Sequence, residues 1–182
     1  MSDKPTMSAD LSPQQKRLLL EQLLKERAAQ PDPCYPLSHS QSALWFLHQL
    51  APESGAYNVG FSARICSVVD VSALRRSLQM LLDRHASLRT TFSDPFGKPV
   101  QQVHAHQELA FEQIDATAWT SDELNKRVHH AYEQPFDFEH GPLVRVSLFS
   151  CSSSDHILLI TVHHISCDGW SIWILLDELR VL

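Results

Sequence analysis

One stretch near the carboxyl end constrains the fold of this chain more than any other. Residues 156–162 read His-Ile-Leu-Leu-Ile-Thr-Val, an apolar, β-branched-rich run that predicts a strand covered on both faces. Residues 170–182 carry apolar side chains at helical spacing and predict a helix. The loop between them, residues 163–169, reads His-His-Ile-Ser-Cys-Asp-Gly. Ligands of open α/β proteins bind in the crevice beyond the carboxyl ends of strands, so this loop is a candidate site.

The polar residues of this loop are chemically suited to a functional site. If His163 and His164 both continue the strand, only one of them can face the crevice. An imidazole titrates near neutral pH and is suited to proton transfer. Asp168 is favoured at a helix start and can pair with an arginine, and Gly169 permits a tight turn or a positive φ. The alternative is structural, since short motifs of this kind often have no catalytic role.

Length and composition are those of one globular domain, with 182 residues, 43% of them hydrophobic and 20% charged. A formal charge of −6 gives no indication of binding to nucleic acid or to an anionic membrane. The apolar runs are too short to cross a bilayer, and the N-terminus lacks the apolar core of a signal peptide. We therefore expect a cytoplasmic protein with neither nucleic acid nor membrane as a partner.

Cysteines and histidines outside the loop do not predict a disulfide framework or a metal site. The four cysteines, at positions 34, 66, 151 and 167, contain no C-x-x-C pair, and we expect reduced, mostly buried thiols. Cys167 precedes Asp168, but the spacing implies no base that would activate it as a nucleophile. Histidines at positions 104, 106, 129 and 130 lack partners at ligand spacing, and we expect them to be exposed.

The remaining chain predicts a succession of helices and strands. Ser12-Pro13-Gln14-Gln15 predicts a helix start, and a proline-rich extended connector follows at residues 30–36. Further helices are predicted at 38–50, from Asp70 to 85, and at 121–132. Strands are predicted at 59–69, 88–92, 100–103, 111–114, 143–149 and 156–163. This order favours an α/β layered domain, and its hairpins indicate a mixed sheet.

Three stretches together resemble the motifs of the condensation domains of nonribosomal peptide synthetases. Residues 38–47 read Ser-His-Ser-Gln-Ser-Ala-Leu-Trp-Phe-Leu and resemble the first motif. Residues 84–92 read Arg-His-Ala-Ser-Leu-Arg-Thr-Thr-Phe and resemble the second. Residues 163–171 resemble the third, the H-H-x-x-x-D-G signature. The resemblance runs from about Pro36 to the end and includes Tyr57-Asn58 and Pro135-Phe136-Asp137; it departs at Ala43, where arginine is usual, and Ala86, where glutamate is usual.

The resemblance implies a chloramphenicol-acetyltransferase-like lobe, which is one half of a V made of two lobes. Residues 36–182 would be the N-terminal lobe, and residues 1–35 a tail, a helix and a proline-rich linker. The last helix stops at Leu182 without a capping residue, so we expect the lobe to be truncated there. With the C-terminal lobe missing, we expect the fragment to be inactive alone and to self-associate through exposed tryptophans.

The implied reaction joins two thioester-bound substrates through an amide bond. The amine of an aminoacyl thioester attacks an acyl or peptidyl thioester. Both substrates are carried on the phosphopantetheine arms of carrier proteins, so the resemblance implies no cofactor bound by the domain itself and no metal. If Met1 is the natural start, we expect the donor to arrive in trans, and residues 12–30 become a candidate docking element.

The resemblance also assigns roles to residues of the second and third motifs. It makes His164 the catalytic group, as a general base or as the group that positions the amine, and it makes His163 structural. Gly169 and Trp170 are expected near the substrate.

For the second motif, the resemblance implies that an arginine supports Asp168. We expect Asp168 to pair with Arg89 rather than with Arg84.

Other interpretations share part of this pattern. Coenzyme A-dependent acyltransferases of a plant family also carry H-x-x-x-D-G, although the paired histidines and the second motif argue against them. Epimerisation domains share the double-histidine signature. Heterocyclising domains are disfavoured because aspartate would replace the histidines. A non-catalytic lobe that binds carrier proteins is the alternative outside enzymes.

Overall fold

The structure is a computed structural model that describes residues 14, 16–17, 33–95 and 97–182 of the chain. It divides the chain into two units, Met1–Asp32 and Pro33–Leu182. In the first unit the described residues, Gln14, Lys16 and Arg17, are helical and exposed. The rest of the predicted N-terminal helix lies outside the described residues.

The second unit contains the helices and strands that the sequence patterns predict. The strands are β1 (Cys34–Pro36), β2 (Asn58–Ile65), β3 (Thr90–Ser93), β4 (Val100–Val103), β5 (Ala110–Asp115), β6 (Val144–Ser152) and β7 (Asp155–His163). The α-helices are α1 (His39–Leu50), α2 (Val71–Arg84), α3 (Ser121–Glu133) and α4 (Gly169–Leu179). A short 3₁₀ helix, Ala86–Arg89, follows α2.

These strands form two sheets. The larger has the order β2-β7-β6-β5, in which β5 runs parallel to β6 and the other pairs are antiparallel. The smaller has the order β1-β4-β3 and is antiparallel. The predicted 100–103 pairing and the hairpin between β6 and β7 are both observed, and the larger sheet is mixed, as its hairpins indicated.

The core lies on both faces of β7, the central strand. Leu158, Ile160 and Val162 pack into a cluster that includes α2 and α4. Ile157 and Leu159 point into a second cluster that includes α3. Because side chains alternate along a strand, an apolar run without polar interruptions is what a strand between two helical layers requires. The prediction for residues 156–162 is confirmed.

Side-chain caps begin the helices where the sequence indicated. Ser38 and Gln41 form a complete capping box, with Ser38 N donating to Gln41 Oε1 at 2.9 Å and Gln41 N donating to Ser38 Oγ at 3.2 Å. Asp70 Oδ1 accepts a hydrogen bond from Ala73 N at 2.9 Å. These local bonds satisfy amides that the first helical turn leaves without partners.

Several elements differ from their predicted bounds. β2 ends at Ile65 rather than residue 69, because its partner β7 starts at Asp155 and leaves nothing for residues 66–69 to pair with. The strand predicted at 88–92 starts at Thr90, since Leu88 N donates to His85 O at 3.1 Å and closes the 3₁₀ turn. Residues 34–36 are extended as predicted, and they also pair with β4.

Two expectations about solvent exposure are wrong. Cys34 and Cys66 are exposed, while Cys167 is buried. His104 is half-buried, with Nε2 at 2.7 Å from Thr91 Oγ1. In the described part of the chain, no helix is long and apolar enough to span a bilayer.

Candidate functional site

His163, the last residue of β7, lies inside the lobe. The residue is only 4% exposed, and its ring centroid lies 4.6 Å from that of Phe138 and 6.2 Å from that of Phe136. Ile165 N donates to His163 Nδ1 at 3.1 Å, so this nitrogen is an acceptor and the neutral ring carries its proton on Nε2. Burial lowers the pKa of His163 to about 4. The ring is therefore neutral at physiological pH.

His164 follows immediately and is exposed. Its backbone N–H donates to Tyr57 O at 2.9 Å, which fixes the chain next to the start of β2. In the register of the two strands, Asn58 stands opposite His163. Of the two histidines, His164 is thus the one whose side chain is accessible at the end of the central strand.

The loop after His164 is held by two buried side chains. Ile165 packs with Phe138 and Leu143, and Cys167 packs in the cluster of α2 and α4. Burial raises the pKa of the Cys167 thiol to about 12. A thiol in this state is not a nucleophile at neutral pH, and its role is to anchor the loop.

Asp168 caps helix α4. Its Oδ1 accepts hydrogen bonds from Ser171 N at 2.8 Å and from Ser171 Oγ at 2.6 Å. Chiefly through the hydroxyl bond and then the amide bond, Ser171 lowers the pKa of the Asp168 carboxyl. The residue is exposed, so it stands at the surface of the loop rather than in a buried crevice.

The expected pairing of Asp168 with an arginine is wrong. Arg89 instead uses its guanidinium to bind backbone carbonyls, with Nε donating to Leu82 O at 3.1 Å and Nη1 to His104 O. Within the described residues, no arginine forms an ion pair with Asp168. A short-range partner three residues along the chain takes the place of a long-range one, because a helix N-cap places its acceptor next to the third amide.

The second motif supports the loop through another acid, Glu178 of α4. Arg84 Nη1 lies 3.0 Å from Glu178 Oε2, and His85 Nε2 lies 2.9 Å from the same oxygen. The hydrogen bond from His85 is the main cause that lowers the pKa of Glu178. The end of α2 is therefore tied to the helix that Asp168 begins.

Gly169 begins α4 and is exposed. The expectation of a positive φ there is wrong, since the glycines with positive φ in the described chain are Gly97 and Gly141. A Cβ built on Gly169 would meet no described atom within 4 Å. Nothing in the lobe itself therefore requires a glycine at this position.

The outer face of α4 is apolar and exposed. Trp170 is 75% exposed, Trp173 is 65% exposed and Ile174 is 47% exposed. Trp173 meets Phe61 of β2 edge-on, with centroids 6.4 Å apart. We call Trp170, Trp173 and Ile174 the α4 face.

Two further residues support the site from behind. Asn58 is buried, and its Nδ2 donates to Tyr132 O at 2.7 Å and to Gln134 O at 2.9 Å. Arg145 of β6 binds the same region of the chain. Sequence analysis included Asn58 only by resemblance and missed Arg145. The available signal was a charged residue between Val144 and Val146 in a strand that otherwise reads as buried.

Comparisons with known proteins agree with this arrangement. The family model described as Condensation domain matches residues 32–182. One of the linear gramicidin synthase proteins of Brevibacillus parabrevis is 40% identical over 185 residues, which cover 97% of this chain and 2% of that protein. Phosphinothricin tripeptide synthetase PhsC of Streptomyces viridochromogenes is 35% identical over 100% of this chain and 18% of its own length.

Solved structures show the same fold. The starter condensation domain of rhizomide synthetase RzmA superposes with a TM-score of 0.73 at 23% identity, covering 81% of this chain and 38% of that one. A four-domain nonribosomal peptide synthetase, holo-AB3403, gives a TM-score of 0.77 at 22% identity, covering 82% and 12%. The predicted α/β fold and the resemblance of the three motifs are both confirmed. The chain belongs to the condensation domain family, and it spans only a small part of the synthetases that it matches.

Proposed function

We propose that this lobe forms one wall of a peptide-bond-forming site and supplies His164 to the reacting groups. The family match supports the reaction class. The observation that carries the proposal is the separation of the two histidines. His163 is buried and has a pKa of about 4, whereas His164 is exposed beyond the central strand. Proton transfer at neutral pH is therefore open to His164 and closed to His163.

The reaction transfers an acyl or peptidyl group from sulfur to nitrogen. The amine nitrogen of the acceptor attacks the thioester carbonyl carbon, the new C–N bond forms, and the C–S bond breaks to release the phosphopantetheine thiol. A free α-amine has a pKa of about 8, so the amine must lose a proton before or during attack. His164 either accepts this proton or positions the amine. Both substrates are tethered to carrier proteins, which makes their encounter effectively intramolecular.

Gly169 and Trp170 are proposed to lie near the substrate. The amide of Gly169 is in the first turn of α4, where backbone N–H groups have no acceptor inside the helix. With open space around its Cα, a substrate carbonyl can approach the backbone closely. This accounts for a glycine that the lobe itself does not need.

The second lobe is proposed to cover the α4 face and to complete the site. Exposed tryptophans next to the signature loop form the kind of apolar surface that a partner domain buries. The fragment alone is then expected to be catalytically silent. No resident cofactor is proposed, because the phosphopantetheine arms arrive on the carrier proteins.

Residues 1–35 are proposed to be a separate element that docks a carrier protein, with residues 36–182 as the lobe. The test is deletion of residues 1–30, which leaves β1 intact. Slower use of a carrier-bound donor with unchanged use of a small soluble thioester supports docking. Equal loss with both donors contradicts it.

The main experiment measures condensation with loaded carrier proteins in a protein that contains both lobes. We expect His164→Ala to lower kcat by about 10²–10⁴-fold if His164 is the general base. His163→Ala is expected to lower the melting temperature instead. His129→Ala removes an exposed histidine of α3 and is the matched control. Equal loss of activity from both variants at unchanged melting temperature would contradict the assignment.

The same assay separates the alternatives. Carrier binding without turnover by the wild-type two-lobe protein would indicate a non-catalytic lobe. Acyl transfer from coenzyme A thioesters with no use of carrier-bound donors would indicate the acyltransferase.

A further inference from the structure

Arg145 occupies an unusual environment for an arginine. It lies in β6 between the buried residues Val144 and Val146, and burial lowers the pKa of its guanidinium. No described carboxylate forms an ion pair with it. Its Nε is buried and has no hydrogen-bond partner in the described part of the chain. An uncompensated buried cation is costly, so the residue needs a reason other than packing.

The guanidinium group binds the carboxyl end of α3. Nη1 donates to Pro135 O at 3.1 Å, and Nη2 donates to Gln134 O. Helix carboxyl ends carry partial negative charge on carbonyls that lack intrahelical donors, which favours a cation there. Asn58 Nδ2 donates to the same Gln134 oxygen at 2.9 Å. The helix end is thus held to β2 and β6 at once.

The same guanidinium also holds an aromatic ring. Its central carbon lies 4.2 Å from the ring centroid of Phe136. Phe136 and Phe138 both contact the ring of His163, which is covalently followed by His164. Phe138 O in turn accepts a hydrogen bond from Phe92 N at 2.7 Å, so the segment carrying both rings is fixed to β3.

We propose that Arg145 is a positioning residue for His164, acting through the residue 134–138 segment and His163. A planar fork can bind two carbonyls and stack on a ring at the same time, which a lysine or an apolar side chain cannot do. A displacement of about 1 Å at a reacting group can cost on the order of 10²-fold in rate. The proposal rests on the proposed role of His164, and its test includes a measurement that does not depend on activity.

The first measurement is the NMR signal of the His163 ring in the 182-residue chain. Its ring protons are shifted by the ring currents of Phe136 and Phe138. We expect Arg145→Lys to move these signals towards their positions in an unstructured peptide. Arg127→Lys is the matched control, since Arg127 also covers an aromatic ring, 4.9 Å from the centroid of Trp119, but on the exposed side of α3.

The second measurement is condensation by a two-lobe protein with loaded carriers. Arg145→Lys is expected to lower kcat by about 10- to 100-fold and to change KM for the donor carrier by less than twofold. Arg145→Met removes both functions of the fork. If that variant does not fold, Phe136→Leu removes only the ring beneath the guanidinium and serves in its place.

The results distinguish the possible failures. Wild-type kcat with unmoved His163 signals in Arg145→Lys overturns the proposal, and so does a loss of kcat while the signals stay in place. An inactive wild-type two-lobe protein whose His163 signals still respond to Arg145→Lys keeps the structural link and overturns the proposed function instead.

Discussion

The imidazole ring of His163 meets the ring of Phe138 edge-on, with centroids 4.6 Å apart and planes at 71°. The Phe138 ring also stacks on His48, with centroids 3.7 Å apart and planes at 1°. Burial lowers the pKa of both histidines, to about 4 for His163. The exposed His164 is thus supported by an aromatic cluster that packs only while its own histidine is neutral.

Stability is therefore expected to depend on pH between about 6.5 and 4. In this range the unfolded chain binds a proton at His163 and the folded lobe does not, so the free energy of unfolding falls as the pH is lowered. The shift corresponds to about 3 kcal/mol, most of which is lost by pH 4. Urea denaturation at several pH values measures it.

His163→Gln is the comparison for this prediction. His48 contributes with the same sign, and Asp137 and His140 titrate nearby, so only the difference between wild type and variant isolates His163. We expect a shallower slope in the variant. Identical slopes would show that His163 does not titrate differently in the two states.

Gly169→Ala is expected to separate stability from activity. A Cβ there meets no described atom, and replacing glycine in an ordinary helical conformation stabilises a fold by about 0.4–1 kcal/mol. Condensation by the two-lobe protein should nevertheless fall sharply, because the methyl group blocks the approach of the substrate. Gly60→Ala is the control with the opposite effect, since its Cβ would lie 2.8 Å from the ring of Tyr132. Full activity of Gly169→Ala would contradict the proposed contact.

Asp168→Ala is expected to destabilise the lobe only as the loss of a helix cap does. We expect the melting temperature to fall by about 2–4 °C, similar to the effect of Asp70→Ala on α2. Asp168→Ser keeps an acceptor for Ser171 N and should restore most of the loss. A much larger fall that serine does not restore would indicate an ionic partner for Asp168.

The isolated 182-residue chain is expected to associate through the α4 face. Trp173 is 65% exposed, and we expect Trp173→Glu to shift the chain towards monomer in sedimentation velocity. Val68→Glu is the matched control, because Val68 is 78% exposed in a loop away from α4. A monomeric wild-type chain at high concentration, or an equal effect of both variants, would contradict this prediction.

Much of the fold could be predicted because its signals are local. The Ser38–Gln41 capping box joins residues three apart, and the apolar run of β7 reflects burial on both faces. Bounds set by a partner strand were less predictable. β2 ends at Ile65 because β7 begins at Asp155, ninety residues further along the chain, and no local pattern near Ile65 carries that information.

The sequence by itself determined the α/β elements, the family and the loop that carries His163 to Gly169. Only the tertiary structure decided which of the two histidines is buried and which groups the arginines bind. Arg84 and Arg89 both stood within reach of a predicted pairing, but Arg84 binds Glu178 and Arg89 binds backbone carbonyls. Hydrogen bonding and charge require every buried donor to find an acceptor, and which acceptor is close depends on how distant segments pack, a property that no short stretch of sequence contains.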